Sequence, residues 1–232
     1  RAVVDSDCLV TAPTGAGKTW IAEQVANVQI QQGGKVWYAT PLKALTNSIH
    51  AGFSRIFGRE KVGILTGDIK ENASADIIIG TTEILRNQLY DAMHTGEDLS
   101  CDLIILDEAH FLGDRERGVV WEEIMIYLPV RIPLLLLSAT IGNPGQISSW
   151  LASIRGKKCH VIESKDRPVP LFPLFLHPSG TLFPLMDQAG NPPNENPGLH
   201  KKVSKFEKNA GRRRFGARRK LPPFDQILPI LD

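Results

Sequence analysis

The sequence has few cysteines and no long run of apolar residues. Cys8, Cys101 and Cys159 are isolated, and no two of them have the CxxC spacing of a zinc or redox site. We therefore expect small core residues rather than metal ligands or disulfides. No apolar stretch approaches the roughly 20 residues that a membrane span requires, and no basic-then-apolar leader opens the sequence. These absences predict a reducing aqueous compartment, the cytoplasm or, in a eukaryote, the nucleus.

Basic charge is concentrated near the C-terminal end, although the net charge is only +2. Residues 201–220 contain ten Lys or Arg and one acidic residue, Glu207, whereas the rest of the sequence has 17 basic and 24 acidic residues. The basic segment is either a contact for nucleic acid or another polyanion, or a solvated, mobile segment. Composition leaves both readings open.

Five short apolar runs without alternation predict strands that are buried on both faces of a parallel sheet. The runs are residues 8–10, 36–38, 77–79, 103–106 and 134–137. Helical patterns lie between them. One apolar helix face would contain Trp20, Ile21, Val25 and Val28, and another would contain Val120, Ile124 and Leu128. The alternation predicts an α/β fold, a mostly parallel sheet flanked by helices, with ligands at the carboxyl ends of the strands.

A glycine-rich loop, TAPTGAGKT, follows the first run and predicts an ATP site. Its candidate ATP-binding residues are Thr14, Gly15, Ala16, Gly17, Lys18 and Thr19. The glycines let backbone N–H groups turn toward the β-phosphate without a Cβ in the way. Lys18 supplies positive charge at the β- and γ-phosphates, and the Thr19 hydroxyl is a candidate ligand of Mg²⁺.

The sequence Asp107-Glu108-Ala109-His110 follows the fourth run and predicts the catalytic carboxylates. Asp107, at the end of a buried strand, is expected to hold hydrated Mg²⁺. We expect Glu108 to polarise the attacking water and His110 to form a hydrogen bond across the site. With Lys18, these three residues are the candidate catalytic set.

Ser138-Ala139-Thr140 follows the fifth run and carries little chemistry by itself. Hydroxyls of Ser138 and Thr140 could bond the carboxylates or His110 and relay the state of the nucleotide. We therefore predict a coupling role for both.

With these residues in view, the sequence resembles the first motor domain of superfamily 2 helicases, specifically their Ski2-like DExH branch. That branch replaces the first glycine of the phosphate loop with alanine, as Ala12 does here. Further matching stretches are ATPLKAL at 39–45, TGD at 66–68, TTEILR at 81–86, DRERG at 114–118 and WEE at 121–123. The resemblance covers about residues 5–170 and implies a RecA-like P-loop NTPase fold.

The resemblance also implies two partners, a single strand of RNA or DNA and a second RecA-like domain with an arginine finger. The residues implied to contact the sugar-phosphate backbone are Pro41, Lys43, Gly67, Thr81 and Thr82. No motif of the second domain is present in the sequence. We expect a first motor domain over residues 1–180, a Pro/Gly-rich and then basic insertion over 181–220, and the start of a linker over 221–232.

The leading functional prediction is the ATP-binding motor domain of an ATP-dependent helicase or translocase. As a fragment without the second domain, it is expected to bind nucleotide and to hydrolyse it very slowly. The alternative is a nucleotide-dependent clamp or remodelling module that does not unwind. A P-loop kinase or a transporter ATPase is disfavoured by the TPLK stretch and by the DEAH sequence.

Overall fold

The computed structural model describes residues 6–114, 117–168, 172–177, 180–186 and 199–211. The chain divides into two compact units after Pro168, earlier than the expected boundary at residue 180. Within the described residues, no helix is both long enough and apolar enough to cross a membrane.

The described residues of the first unit form eight strands and five α-helices. Its strands are β1 (Asp7–Thr11), β2 (Val36–Thr40), β3 (Val62–Leu65), β4 (Lys70–Glu71), β5 (Ile77–Thr81), β6 (Leu103–Leu106), β7 (Leu134–Ser138) and β8 (Cys159–Glu163). Its helices are α1 (Lys18–Gln31), α2 (Lys43–Phe57), α3 (Thr82–Thr95), α4 (Gly118–Tyr127) and α5 (Pro144–Arg155). Two 3-10 turns, Arg59–Lys61 and Ala109–Gly113, precede β3 and α4.

All eight strands form one sheet in the order β4-β3-β5-β2-β6-β7-β1-β8. Every neighbouring pair is parallel except β3 and β4, which form an antiparallel edge. The predicted α/β class and mostly parallel sheet are therefore confirmed. Strand β1 lies between β7 and β8, the last two strands of this unit along the chain.

Alternate residues of the strands enter two apolar clusters, one on each face of the sheet. Helices α1 and α2 cover one face through residues such as Ala22, Ala26 and Phe53. Helices α3, α4 and α5 cover the other, where Trp121 and Leu151 are fully buried. Because both faces are covered, the apolar runs without alternation are explained.

The three cysteines are free and buried, as expected of small core residues. Burial raises the pKa of Cys8 to about 11 and that of Cys101 to about 12, so both thiols stay protonated near neutral pH. Their role is packing.

The prediction of the apolar face of α1 is wrong for two of its four residues. Trp20 and Val28 are 63% and 44% exposed. The helix instead packs on the sheet through the small residues Ala22 and Ala26, which allow its backbone to approach closely. Ile21 and Val25 pack at the sides of this contact, as predicted. The predicted face of α4 is confirmed, with Ile124 and Leu128 buried and Val120 packed against them.

A buried ion pair joins elements at the amino edge of the sheet. Arg155 Nε lies 2.6 Å from Asp7 Oδ2, and both side chains are at most 1% exposed. Arg155 also donates to the carbonyl oxygens of Leu128 and Ile132 at 2.8 and 2.7 Å. The N–H of Leu134 donates to Asp7 Oδ1 at 3.0 Å. Both buried charges are thus paired and hydrogen-bonded, which offsets the cost of removing them from water.

The described part of the second unit contains a strand pair and a helix. Strand β9 (Leu174–Leu176) pairs antiparallel with β10 (Leu182–Pro184), and α6 spans Lys201–Gly211. Because proline is poorly tolerated in a central strand, the sequence predicts that residues 159–163 and 169–177 form short strands at the sheet edge. The first is β8 at that edge, whereas the described part of the second belongs to this separate pair.

Aromatic rings hold this second unit together. Phe175, His177 and Phe206 lie with ring centroids 5.1–6.4 Å apart, and Lys202 lies over the ring of Phe183. The helix α6 carries the first part of the basic segment. Residues 187–198 and 212–220 of the expected insertion and the expected linker over 221–232 lie outside the described residues.

Candidate nucleotide and nucleic-acid site

The predicted site residues all lie at the carboxyl edge of the sheet, in two adjacent groups. The phosphate loop, the Asp107 turn and Ser138 follow β1, β6 and β7. The residues implied to contact nucleic acid follow β2, β3 and β5. Because the strand order places β3, β5 and β2 together, followed by β6, β7 and β1, each group occupies one half of this edge.

The phosphate loop has the backbone geometry that an anion site requires. Gly15 and Gly17 have φ of 84° and 85°, a left-handed conformation that residues with a Cβ rarely adopt. Gly17 directly precedes α1 and offers no side-chain cap, so N–H groups of the first helical turn face the loop. Lys18 Nζ donates to the carbonyl oxygens of Ala12 and Pro13 at 2.9 and 3.2 Å. Its ammonium group therefore lies within the loop.

The remaining loop residues line the same turn. Thr14 is exposed, and Thr19 is half-buried in the first turn of α1. The N–H of Ala16 donates to the carbonyl oxygen of Pro13 at 3.1 Å, which closes the turn. The six predicted ATP-binding residues are thus brought together on one loop and one helix start.

Asp107 is held by two hydrogen bonds, one from β2 and one from the turn that follows β6. Its Oδ2 accepts from the Tyr38 hydroxyl at 2.6 Å, and its Oδ1 accepts from the N–H of Glu108 at 2.9 Å. Asp107 is 9% exposed and Tyr38 is fully buried. Burial first, and then the Asp107 carboxylate, raise the pKa of Tyr38 well above its usual range. The phenol therefore stays protonated and orients the carboxylate.

Glu108 has a strained backbone at the point where catalysis is predicted. Its φ of 58° and ψ of 41° are left-handed, which costs a residue with a side chain roughly 1–2 kcal/mol. Its Oε2 lies 3.3 Å from His110 Nδ1, and both side chains are about one third exposed. The ring of His110 packs on Phe111. The structure thus joins the predicted water-polarising residue to His110 and leaves both accessible.

Three buried hydroxyls at this edge have no hydrogen-bond partner among the described residues. They belong to Thr11, Thr40 and Ser138, the last residues of β1, β2 and β7. Thr11 and Ser138 are cross-strand partners. Thr140 is exposed. The structure brings Ser138 to the site but does not bond it to a carboxylate or to His110, so the relay through Ser138 and Thr140 stays a prediction.

The residues implied to contact nucleic acid differ in accessibility. Lys43 and Gly67 are exposed, whereas Pro41, Thr81 and Thr82 are buried. Gly67 lies beneath Lys43, since a Cβ built on it would be 3.7 Å from Lys43 Nζ. The two are brought together although they follow different strands. The buried threonines can offer backbone N–H groups at the uncapped start of α3 rather than their side chains.

Sequence reasoning missed two residues of this edge. Asp68 forms an ion pair with Lys43, and Tyr38 forms the hydrogen bond to Asp107. The signal for Tyr38 was a hydroxyl inside a run that is otherwise apolar, because a buried tyrosine hydroxyl usually has a partner. The signal for Asp68 was its place in the TGD stretch.

Comparison with known proteins matches this arrangement to one family. A family model described as DEAD/DEAH box helicase matches residues 1–147. The chain is 45% identical over 189 residues to the DExH-box ATP-dependent RNA helicase DExH15, chloroplastic, of Arabidopsis thaliana, covering 80% of this chain and 16% of that protein. It is 37% identical over 204 residues to the antiviral helicase SKI2 of Saccharomyces cerevisiae, covering 87% of this chain and 16% of that protein.

Among solved structures, the helicase domain of Pyrococcus furiosus Hef is similar to this chain with a TM-score of 0.54 and 27% identity. The match covers 70% of this chain and 35% of the Hef chain. The chain therefore spans only a fraction of the length of the proteins it matches.

Proposed function

The chain belongs to the DEAD/DEAH box helicase family, in its Ski2-like DExH branch, and from this premise we propose that it is the ATP-binding motor domain of a nucleic-acid helicase. Its sheet is the RecA-like fold of these motors. One observation carries the proposal. The open phosphate loop and the Asp107-Glu108 turn flank β7 at one edge of the sheet, beside the half that holds Lys43 and Gly67.

The nucleotide is proposed to bind through its phosphates to the loop. The first N–H groups of α1 and the Lys18 ammonium are the donors, and both act on negative charge at short range. Lys18 exchanges its present carbonyl acceptors for phosphate oxygens, which are charged and therefore bind it more strongly.

Mg²⁺ fits the donor set of this site. Asp107 and Thr19 offer hard oxygen atoms, and Mg²⁺ is usually bound by one or two carboxylates together with substrate phosphates. Among the described residues no cluster of three or more His, Cys, Asp or Glu side chains could hold a metal alone, which agrees with a cation that arrives with its nucleotide. When bound, Mg²⁺ would neutralise charge on the phosphates.

Glu108 is proposed to orient the attacking water and accept its proton. His110 Nδ1 lies against the Glu108 carboxylate and fixes where that carboxylate points. A second RecA-like domain is proposed to supply an arginine finger, worth about 10³–10⁵-fold in rate in related NTPases. Hydrolysis by this chain alone is accordingly expected to be very slow.

A single strand of nucleic acid is proposed to bind at the other half of the edge. Lys43 would exchange Asp68 for a backbone phosphate, and the N–H groups at the start of α3 would bind a second phosphate. RNA is the first candidate, since one matched relative is an RNA helicase. Free, buried thiols agree with a reducing compartment such as the cytoplasm, which we propose as its location.

Nucleotide binding by the Lys18→Ala variant tests the proposed site. Loss of a charged hydrogen bond to phosphate should weaken Mg-ATP binding about 10- to 100-fold in a calorimetric titration. The control is Lys158→Ala, which removes an exposed lysine just before β8, at the amino edge. Equal affinity in both variants would refute the ATP site.

Hydrolysis with and without nucleic acid tests the motor. The chain is joined to the second domain of its natural protein and assayed alone, with single-stranded RNA, and with DNA of the same sequence. Stimulation by either polymer supports the motor and identifies its strand. Binding of ATP without stimulation by either polymer favours the clamp or remodelling alternative.

A further inference from the structure

A cavity of about 500 Å³ lies beside β4, the edge strand of the large sheet. Helix α2 begins after the carboxyl end of β2 and ends before β3, so its second half lies toward the amino edge, away from the motor site. This half meets the Arg59–Lys61 turn and the β3–β4 hairpin around the cavity. The polar lining residues are His50, Ser54, Arg55, Arg59, Glu71 and Asn72.

Two guanidinium groups line this cavity without an acidic partner. Among the described residues, neither Arg55 nor Arg59 forms an ion pair. Glu71 is the one carboxylate of the lining, so the net charge is +1 when His50 is neutral. Glu60 does not line the cavity, because its carboxylate is folded over Gly58.

The walls of the cavity are fixed by Asn72. This residue has φ of 47°, a left-handed conformation that asparagine tolerates. Its side-chain amide donates to the carbonyl oxygen of Glu60 at 2.9 Å and lies 3.5 Å from those of Arg59 and Val62. These contacts join the hairpin to the Arg59–Lys61 turn. Arg59 therefore projects from a turn whose position is fixed.

A buried donor lies behind the lining of the cavity and is not used within the described part of the protein. The Ser54 hydroxyl is buried and has no hydrogen-bond partner among the described residues. A buried hydroxyl without a partner costs roughly 1–3 kcal/mol, and a serine inside a helix can usually avoid this by bonding to the preceding turn.

We propose that this cavity binds a single phosphate group. Two guanidinium forks match the oxygens of phosphate, and neither has an acidic partner among the described residues. A polyanionic strand is disfavoured, because Glu71 faces the cavity and the net charge is only +1. The phosphate group comes either from a free phosphate ion or from a phosphorylated side chain of a partner protein.

The test is a titration of the ¹⁵N-labelled chain with inorganic phosphate, followed by amide chemical shifts. It is carried out in the Lys18→Ala background, so that the phosphate loop does not compete, and chloride holds the ionic strength constant. We expect saturable shifts at Ser54, Arg55 and Asn72, with an affinity about tenfold weaker in Arg59→Gln. A parallel titration with a short phosphoserine peptide distinguishes the sources, since tighter binding of the peptide indicates a partner protein.

The matched control is Lys61→Gln, which removes the same charge from the same turn at a residue that does not line the cavity. Affinity must be unchanged in this variant. Chemical shifts that do not saturate with phosphate would overturn the proposal. An affinity that falls equally in Arg59→Gln and Lys61→Gln would do the same. A single-stranded RNA oligonucleotide provides a further test. If it caused the same chemical-shift changes with a higher affinity than phosphate, and if Arg59→Gln abolished them, the cavity would contact nucleic acid and the proposal would be overturned.

Discussion

Polar side chains at the two edges of the large sheet differ in whether they have hydrogen-bond partners. At the amino edge, Asp7 and Arg155 are fully buried and saturated with hydrogen bonds to one another and to the backbone. At the carboxyl edge, the hydroxyls of Thr11, Thr40 and Ser138 are buried without partners. Glu108 adds a strained backbone to that edge.

The difference between the two edges reflects two roles, which are stabilising the fold and binding a ligand. A saturated pair has one low-energy arrangement and stabilises the elements it joins. Buried groups without partners, like a strained backbone, raise the energy of the free protein, and such costs are typical of functional sites. Around β1 and β7, the amino ends of the strands therefore stabilise the fold and the carboxyl ends form the proposed motor site, and each can be changed separately.

The largest expected effect is at the amino edge, from Arg155→Ala. This variant leaves the Asp7 carboxylate buried and unpaired, and should lower the free energy of unfolding by about 3–5 kcal/mol. Urea unfolding measures it. The double variant Asp7→Leu/Arg155→Leu removes both charges and should be destabilised less than the single variant. A loss below about 1 kcal/mol for Arg155→Ala would show that this pair does not hold the edge.

The next largest effect is at the carboxyl edge, from Tyr38→Phe. Without the Tyr38 hydroxyl, the Asp107 carboxylate is no longer oriented. The apparent Mg²⁺ affinity of the nucleotide complex should therefore fall about 10- to 100-fold. Titration of Mg²⁺ into the protein with bound ADP measures this. ADP binding in EDTA should be unchanged, because the phosphate loop is untouched. Tyr127→Phe, on the surface of α4, is the control. An equal fall in Mg²⁺ affinity in both variants would show that Tyr38 does not position the Asp107 carboxylate.

The smallest effect is a gain in stability from Thr11→Val. Removing a buried hydroxyl without a partner should stabilise the chain by about 1 kcal/mol and raise Tm by about 2–4 °C. Thr46→Val is the matched comparison, because the buried Thr46 hydroxyl donates to the carbonyl oxygen of Leu42 at 3.1 Å. That variant should lose stability in the same thermal scan. If both variants changed Tm in the same direction, the missing hydrogen bond of the Thr11 hydroxyl would not be the cause of the effect.

Much of the fold, and the edge at which the proposed motor residues meet, could be predicted from local pattern. Apolar runs mark buried strands, and the carboxyl ends of parallel strands meet at one edge, so Lys18, Asp107 and Ser138 were expected there. The bond from Tyr38 to Asp107 could not be predicted, because it depends on β2 lying beside β6, and periodicity does not report strand order. Trp20 was misplaced because the pattern weighs apolar size, whereas α1 approaches the sheet through small alanines.

The position of β1 in the sheet has a consequence for the order of assembly. It is the first described strand to leave the ribosome, yet its neighbours are β7 and β8. The hydrogen bond from Leu134 to Asp7 joins residues 127 positions apart, which takes roughly 6–25 s of synthesis at 5–20 residues per second. Among the described strands of this sheet, the one that carries the phosphate loop is therefore made first and paired last, and until then its apolar residues are accessible to chaperones.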